Sequence, residues 1–302
     1  MLKKFLKKSY LLIGLAIFVW VMKDINFAEL VKIIPNINIW YYILALVLYL
    51  PVALLKSYRW KKILEIQGIV YSFKDAFYIY NSSLLLGLVT PGRLGDASKV
   101  LYLKKDNRSF GQAVFGVLFD KVSDLVFVAL FLAITFPFLP LVPRLAVNYP
   151  ALFQFSLLVG GSAIILFSFV YFKKNSRLRQ LTLRTIEELK KFKIKDDLYL
   201  LILTAFTWFI YFFMIYLIAV SVGINSQIGF FYLAFSAALI TLAALLPISV
   251  LGIGTREAAL LFFLLPLGLN KETIVLFSLL ITFNYLGLFL ICFYAWFKKP
   301  MV

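Results

Sequence analysis

The sequence predicts an all-α, polytopic membrane protein. It reads as an inverted-topology repeat of about six crossings plus two broken, re-entrant helical hairpins entering from opposite sides. Three observations carry this. The 302 residues are 63% hydrophobic and 15% charged, with a mean hydropathy of +0.95; soluble domains average about 45–50% apolar and about 25% charged. Several apolar runs approach or exceed the roughly 20 residues that cross a bilayer, unlike the weak alternation of a barrel strand. The basic residues behind a net charge of +17 fall in short loops between these runs. That is the positive-inside pattern, reinforced by anionic lipid, and no nucleic-acid partner is implied.

The elements follow in order. "MLKKFLKKSYLLIGLAIFVWVM" is basic and then apolar, with no small-residue cleavage site, so it reads as an uncleaved first helix crossing at 10–22. That run is short and needs flanking residues to reach across. Lys3, Lys4, Lys7 and Lys8 place the amino terminus in the cytoplasm, whereas the 23–38 loop balances Lys23 and Lys32 against Asp24 and Glu29 and sits outside. A crossing at 39–55 leads to the basic "KSYRWKK" at 56–62, inside.

The next apolar stretch, 76–90, precedes another basic loop, "LKKDNR" at 103–108. With basic loops on both sides it cannot cross. It enters, breaks at Pro91–Gly95 and returns. Runs at 125–142 and 151–172 go out and back. The segment from Lys173 to Asp197 lies inside, with "LRQLTLRTIEELKKF" as an amphipathic surface helix. A crossing at 198–222 leads to the neutral "GINSQ" outside. Lys298 and Lys299 hold the carboxyl terminus inside, so 274–297 runs inward from "NKET" at 270–273.

The region between those outside loops, apolar at 230–250, starts and ends outside. Pro247, Gly252 and Gly254 break it, with Arg256 and Glu257 at the break. The chain thus reads as one integral membrane domain, 1–302, in two repeats, 1–148 and 149–302, joined near Asn148–Pro150. It is a multi-pass cell-membrane protein with both termini cytoplasmic. "PGRLGDASKVLYL" and "GIGTREAALLFFL" place similar residues before a short apolar arm. Paired broken helices in an inverted repeat mark secondary-transporter-like folds, with the binding site where the breaks meet.

A broken helix in lipid exposes backbone groups that protein, water or ligand must satisfy. Asp96 and Thr255 are expected to cap the returning arms, whose N-termini then present N–H groups and a positive dipole end to an anion. Arg93 and Arg256 add planar forks suited to phosphate, with Asp96 and Glu257 neutralising them when the site is empty. Lys99, one turn after Asp96, is expected to bridge to it. In "GVLFDKVSDLVFVAL", Asp120 and Asp124 share a helix face and Lys121 can pair with Asp124. Lys121 is a third cation for the anion, with the acids pairing, orienting or relaying protons. Structural pairing or interfacial snorkelling competes with the functional reading at each charge. Lys56, Arg59, Lys61 and Lys62 read as topological, with Arg59–Trp60 a possible lipid-headgroup contact. The chain has no histidine, which excludes His-based acid–base chemistry and His metal ligands, and its one cysteine, Cys292, excludes an internal disulfide. Two carboxylates one turn apart are a weak metal signal. No cofactor or metal is expected, and no Walker or dinucleotide motif is present.

At "RWKKIL" (59–64), "TPGRLGDASKVLYLKK" (90–105), "SFGQAVFGVLFDKVSD" (109–124) and "LPISVLGIGTREAALL" (246–261) the chain resembles the flippase-like transmembrane region of lysylphosphatidylglycerol synthases, which also occurs as stand-alone membrane proteins. That family usually shows Glu at position 96 and Arg at 99 and 121. The Asp96, Lys99 and Lys121 of this chain keep the charge but lose bidentate geometry at the basic positions. The resemblance implies movement of a lipid with a charged or glycosylated phosphate headgroup across the bilayer. No polar domain follows Val302, so lysine transfer is not expected. The preferred reading is a flippase or scramblase, a transporter rather than an enzyme, whose partner is a phosphate-bearing phospholipid or polyprenyl-phosphate lipid. An intramembrane lipid pyrophosphate hydrolase or transferase, or a non-catalytic partner of a membrane glycosyltransferase, are the alternatives. The first is weakened by the lack of histidine and of a serine cluster, Ser98 being the nearest candidate.

Overall fold

Short polar side chains start four of the helices. Asn26 accepts from the Ala28 and Glu29 N–H groups to open α2 (Phe27–Ile33), and Asn38 accepts from Trp40 N–H to open α3 (Ile39–Val47). Ser72 and Ser109 do the same for α5 (Phe73–Val89) and α7 (Phe110–Thr135). Between them α4 (Tyr49–Ile66) follows α3 after a jog at Leu48. Pro51 accounts for it, because its ring clashes with the carbonyl four residues back, where α3 ends. The remaining helices are α1 (Leu2–Lys23), α6 (Lys99–Lys105), α8 (Ile194–Ser221), α9 (Phe230–Ala243), α10 (Thr255–Leu264) and α11 (Lys271–Lys298). The structure is a computed structural model and describes residues 2–106, 108–136, 187–243, 249 and 251–300; those residues form helices and connecting turns, with no strand.

Among the described residues three helical stretches are long and apolar enough to cross a membrane: Ile39–Ile66, Ile194–Ser221 and Lys271–Lys298, each of 28 residues. At 1.5 Å per residue each spans about 42 Å, beyond the ~30 Å hydrocarbon core. The loops segregate onto two faces as their charges predict. On one face Asn38 N–H donates to Ser221 O (2.8 Å) and Asn26 N–H to Glu272 (3.2 Å), joining the three weakly charged loops. On the other, Gln67 donates to Gln112 O and Glu188, Tyr199 meets Tyr58, and Lys299 pairs with Asp75 at 2.8 Å.

Both broken segments fold back as hairpins. In the first, a 3₁₀ stretch (Pro91–Ser98) turns the chain over so that Gly95 lies flat against α5. A Cβ there would sit 2.2 Å from the Leu86 carbonyl carbon, so only glycine fits. Thr90 Oγ1 accepts from Gly95 N–H at 2.7 Å, and Tyr71 closes the mouth by donating to Asp106. In the second hairpin the Tyr232 hydroxyl, at the start of α9, donates to Phe263 O near the end of α10 (2.9 Å). The two mouths lie at opposite ends of α11. Its first turn follows α10 after a short 3₁₀ link, and the Lys299 carbonyl just past its last turn accepts from Tyr102 at the end of the first hairpin (2.8 Å). Gly254, with φ of 86°, lets the N-terminus of α10 approach α1 so closely that a Cβ would lie 1.9 Å from Gly14 O.

Several expectations are corrected. Residues 56–62 are not a loop but turns of α4. Helix α7 begins at Phe110, not near 125, so Asp120, Lys121 and Asp124 lie about three to four turns inside it rather than at its start. Asp96 does not cap α6, which Ser98 precedes without a side-chain bond; it lies within the 3₁₀ stretch. Thr255 is the first residue of α10 rather than its cap, and Glu257 closes that end by accepting from Gly254 N–H at 2.5 Å. The expected crossing at 151–172, the join at Asn148–Pro150 and most of the surface helix before Asp197 lie outside the described residues.

With single cysteines in a Cys292→Ser background, positions 104 and 225 are expected to label from opposite faces with a membrane-impermeant maleimide, and 225 and 271 from the same face. Labelling of 104 and 225 from one side would make the first hairpin a crossing.

Candidate functional site

Charges buried in a membrane protein are costly unless paired, so the pairing pattern shows what the fold has settled and what it has left open. The centre is Arg59 on α4, completely buried. Its Nη2 donates to Asp120 Oδ1 at 2.7 Å and its Nε to the same oxygen at 3.1 Å; its Nη1 donates to Asp124 Oδ1 at 2.7 Å and to Thr204 of α8 at 2.9 Å. The fork thus ties α4, α7 and α8 together. The other oxygens of both aspartates are also engaged. Lys99 Nζ reaches Asp120 Oδ2 at 3.1 Å, and Lys56 Nζ reaches Asp124 Oδ2 at 3.1 Å. Trp208 Nε1 donates to Asp124 as well, at 3.0 Å. Lys99, 2% exposed, also lies 3.9 Å from the Tyr80 ring centroid, a cation–π contact.

Two expected pairings are therefore wrong. Lys99 bridges to Asp120 rather than Asp96, and Lys121 pairs with Asp96 rather than Asp124. The first break folds back toward α7, so these contacts join the hairpin to that helix instead of staying within one segment. Arg93 differs from all of these. Among the described residues no carboxylate lies within 4 Å of its guanidinium, so the expected neutralisation by Asp96 is absent. Its backbone sits at φ of 55°, a left-handed conformation costing a non-glycine residue about 1–2 kcal/mol.

These residues surround a cavity of about 400 Å³, within the range of small-ligand sites. Lys56, Arg93 and Lys121 face it from α4, the first break and α7, with Asp96 and Asp124 beside them and Tyr49, Tyr80, Trp208, Tyr211 and Tyr285 as aromatic wall. The cavity reaches the surface between the break and α7, where Ala97 and Leu118 are exposed. Lys99 and Asp120 are buried behind the wall. Within this group five cations (Lys56, Arg59, Arg93, Lys99, Lys121) stand against three carboxylates (Asp96, Asp120, Asp124), so the group carries a net positive charge. Two acceptor or donor atoms on its wall, Asp96 Oδ1 and the Tyr49 hydroxyl, are buried without a partner.

The second break is arranged differently. Arg256, 3% exposed, donates through Nε to Ser278 at 3.0 Å and through Nη2 to Thr282 and to Glu257 (3.4 Å). Glu257 also accepts from Ser278 Oγ at 2.6 Å. Arg256 lines a separate cavity of only about 30 Å³, together with Arg93, Gly252 and Tyr285. A third, about 20 Å³, is bounded by Arg93, Leu251, Gly252 and Tyr285. The two breaks therefore meet, at Arg93 and Leu251–Gly252. Of the residues expected at the site, Arg93, Asp96, Lys121 and Asp124 share the large cavity, and Arg256 and Glu257 form the second cluster. Sequence reasoning missed Arg59 and Lys56, assigned to topology, and the α11 residues Ser278, Thr282 and Tyr285. Arg59 was marked by its place beside Trp60 as a lipid-headgroup contact and by the resemblance, whose first matching stretch begins there; Lys56 had neither signal.

The family model for the lysylphosphatidylglycerol synthase TM region matches residues 10–292. A UPF0104 membrane protein of Methanocaldococcus jannaschii is 32% identical over 125 residues, 40% of this chain and 37% of that relative. The match thus spans little more than a third of the relative's length. No solved structure matches the chain.

The pairing pattern predicts an ordering of stabilities. Asp120→Asn strands Lys99, whose nearest carboxylate it is, as a buried cation. The expected loss is about 3–5 kcal/mol, read as a lower midpoint of thermal unfolding in detergent. Adding Lys99→Met removes the stranded charge and is expected to recover part of the loss, the remainder belonging to Arg59, which the Asp120 carboxylate also answers. A double variant no more stable than Asp120→Asn would show that Lys99 does not depend on that carboxylate.

Proposed function

The chain belongs to the lysylphosphatidylglycerol synthase transmembrane-region family, and from that premise we propose that it moves a phosphate-bearing lipid headgroup across the bilayer as a flippase or scramblase. The observation that carries this reading is Arg93: a guanidinium without an ion-pair partner among the described residues, held in a strained backbone at the wall of a chamber that Lys56 and Lys121 also face. A phosphodiester or phosphomonoester supplies the acceptors that Arg93 lacks, and charge-assisted bonds of this kind are the strong ones. The apolar part of the wall, Val52, Leu84, Val117 and Leu125 among others, accepts the first carbons of the chains.

Binding and release need the cations to give up the phosphate again. Lys56 and Lys121 each keep a carboxylate partner, Asp124 and Asp96, to which they return when the headgroup leaves. Such pairing lowers the cost of the empty state, and a transporter gains nothing from binding its cargo too tightly. On this reading the chain divides into repeats 1–148 and 149–302, with Arg93 at the break of the first and Arg256 at the break of the second. On this reading the membrane is the cell membrane, with both termini in the cytoplasm.

In liposomes carrying the purified protein, labelled anionic phospholipids and polyprenyl-phosphate lipids are expected to exchange leaflets faster than in empty liposomes. Arg93→Gly removes the cation and the left-handed strain together. The expected result is a roughly ten- to hundredfold slower exchange, the equivalent of about 1.5–3 kcal/mol of lost contact, with thermal stability unchanged or raised. No acceleration of any tested lipid by the parent protein would overturn the transport reading. Full activity in Arg93→Gly would remove Arg93 from it.

A further inference from the structure

Three cavities meet at two side chains. Tyr285 on α11 and Arg93 line the chamber of about 400 Å³ and both small cavities. Arg256 lines the cavity of about 30 Å³, with its Cζ 5.9 Å from the Tyr285 ring centroid. The ring, with Arg93, Tyr211 and Thr241, therefore forms the wall shared by the large chamber and the cavity at the second break, where Arg256 is held. A volume of 20–30 Å³ admits about one or two waters; a phosphate that reaches Arg93 stops at this wall.

Beyond the ring are the groups a phosphate would take next. Arg256 Nε and Nη2, Ser278 Oγ and Thr282 Oγ1 are donors converging from α10 and α11, occupied in this arrangement by one another and by Glu257. The packing around the ring is also incompletely satisfied. Asn284, the preceding residue on α11, is fully buried with neither amide nitrogen nor oxygen bonded, and the Tyr49 hydroxyl, on a ring 6.1 Å from that of Tyr285, is buried without a partner. Buried polar groups are almost always bonded. An orphan hydroxyl on the ring packed against Tyr285 marks a place where this arrangement is not the only one the packing serves.

We infer that Tyr285 is the partition in the headgroup route, and that a phosphate held by Arg93 passes it to reach Arg256, Ser278 and Thr282. This rests on the lipid-transport reading. The partition itself is testable without transport. Ser249, 3% exposed, lines the small cavity of about 20 Å³ behind the ring. With Ser249→Cys in a Cys292→Ser background, modification by the anionic, membrane-impermeant reagent sulfonatoethyl methanethiosulfonate is followed in inverted and right-side-out membrane vesicles. The reagent is expected to react slowly in the presence of Tyr285. Tyr285→Ala is expected to raise the rate at least tenfold from the face that carries Lys104, and Tyr285→Phe to leave it low. An unchanged rate in Tyr285→Ala overturns the partition. Should that variant fail to accumulate in the membrane, Tyr285→Trp is expected to slow the reaction below the parent rate, and no change would overturn the inference equally. If accessibility responds as expected but no lipid exchanges in liposomes, the transport reading fails and the partition stands. If lipid exchanges and accessibility does not respond, the partition alone is wrong.

Discussion

The fork of Arg59 is the interaction on which the rest of the structure depends. A fully buried guanidinium is tolerated only where its donors are answered, and here two aspartates of α7, a threonine of α8 and the Asp120 carbonyl answer them. Satisfying it fixes the rotation of three helices about their axes. Once Asp120 and Asp124 are turned toward α4, Lys121 on the same helix is directed toward the first break, where it finds Asp96. Lys99, at the start of the returning arm, closes on the free oxygen of Asp120. The hairpin is thus docked by charges as well as by the apolar packing of Ile79, Tyr102 and Leu103 against Trp60, Leu64 and Ala113. The charge pairs matter in a bilayer, where apolar surface gains little by leaving lipid. The same network leaves Arg93 without an ion-pair partner among the described residues, so the open cation of the chamber is a remainder of the pairing that builds it.

Much of the architecture was legible in the sequence because the bilayer constrains it so strongly. The apolar lengths and the loop charges were enough to separate the two faces and to find both hairpins, since a run bounded by basic loops has nowhere to go but back. Helix ends were harder. The start of α7 was read fifteen residues too late because Asp120, Lys121 and Asp124 looked like an interface. Asp120 is buried and the other two partly so, and all three are answered from other segments, which hydropathy along one segment does not register.

The site was legible in part, and for a similar reason. Residues at a break announce themselves, so Arg93, Asp96, Arg256 and Glu257 were found. Arg59 sits in a run of lysines with an ordinary topological explanation. Three and four residues to either side, Lys56 and Ile63 put it on a stripe that also carries buried Val52 and Trp60, but one charged residue on such a stripe reads equally well as a snorkelling side chain. Pairings over 61 and 65 positions, as between Arg59 and the two aspartates, are set by the fold and leave no local signature. Local spacing instead suggested Lys121 with Asp124 and Lys99 with Asp96, and tertiary contacts replaced both.

α11 carries a mechanical consequence of its own. It is a stiff rod of 28 residues held at both ends, by Glu272 to the backbone before α2 and, through the residue after it, by Lys299 to Asp75 at the base of the first hairpin. A rod fastened in this way does not bend easily in the middle, but it can tilt. Tilting about its centre, which lies near Tyr285, swings its two ends in opposite directions. Such a beam turns a small displacement at one membrane surface into an equal and contrary one at the other, so the two surfaces are coupled in opposition by geometry alone.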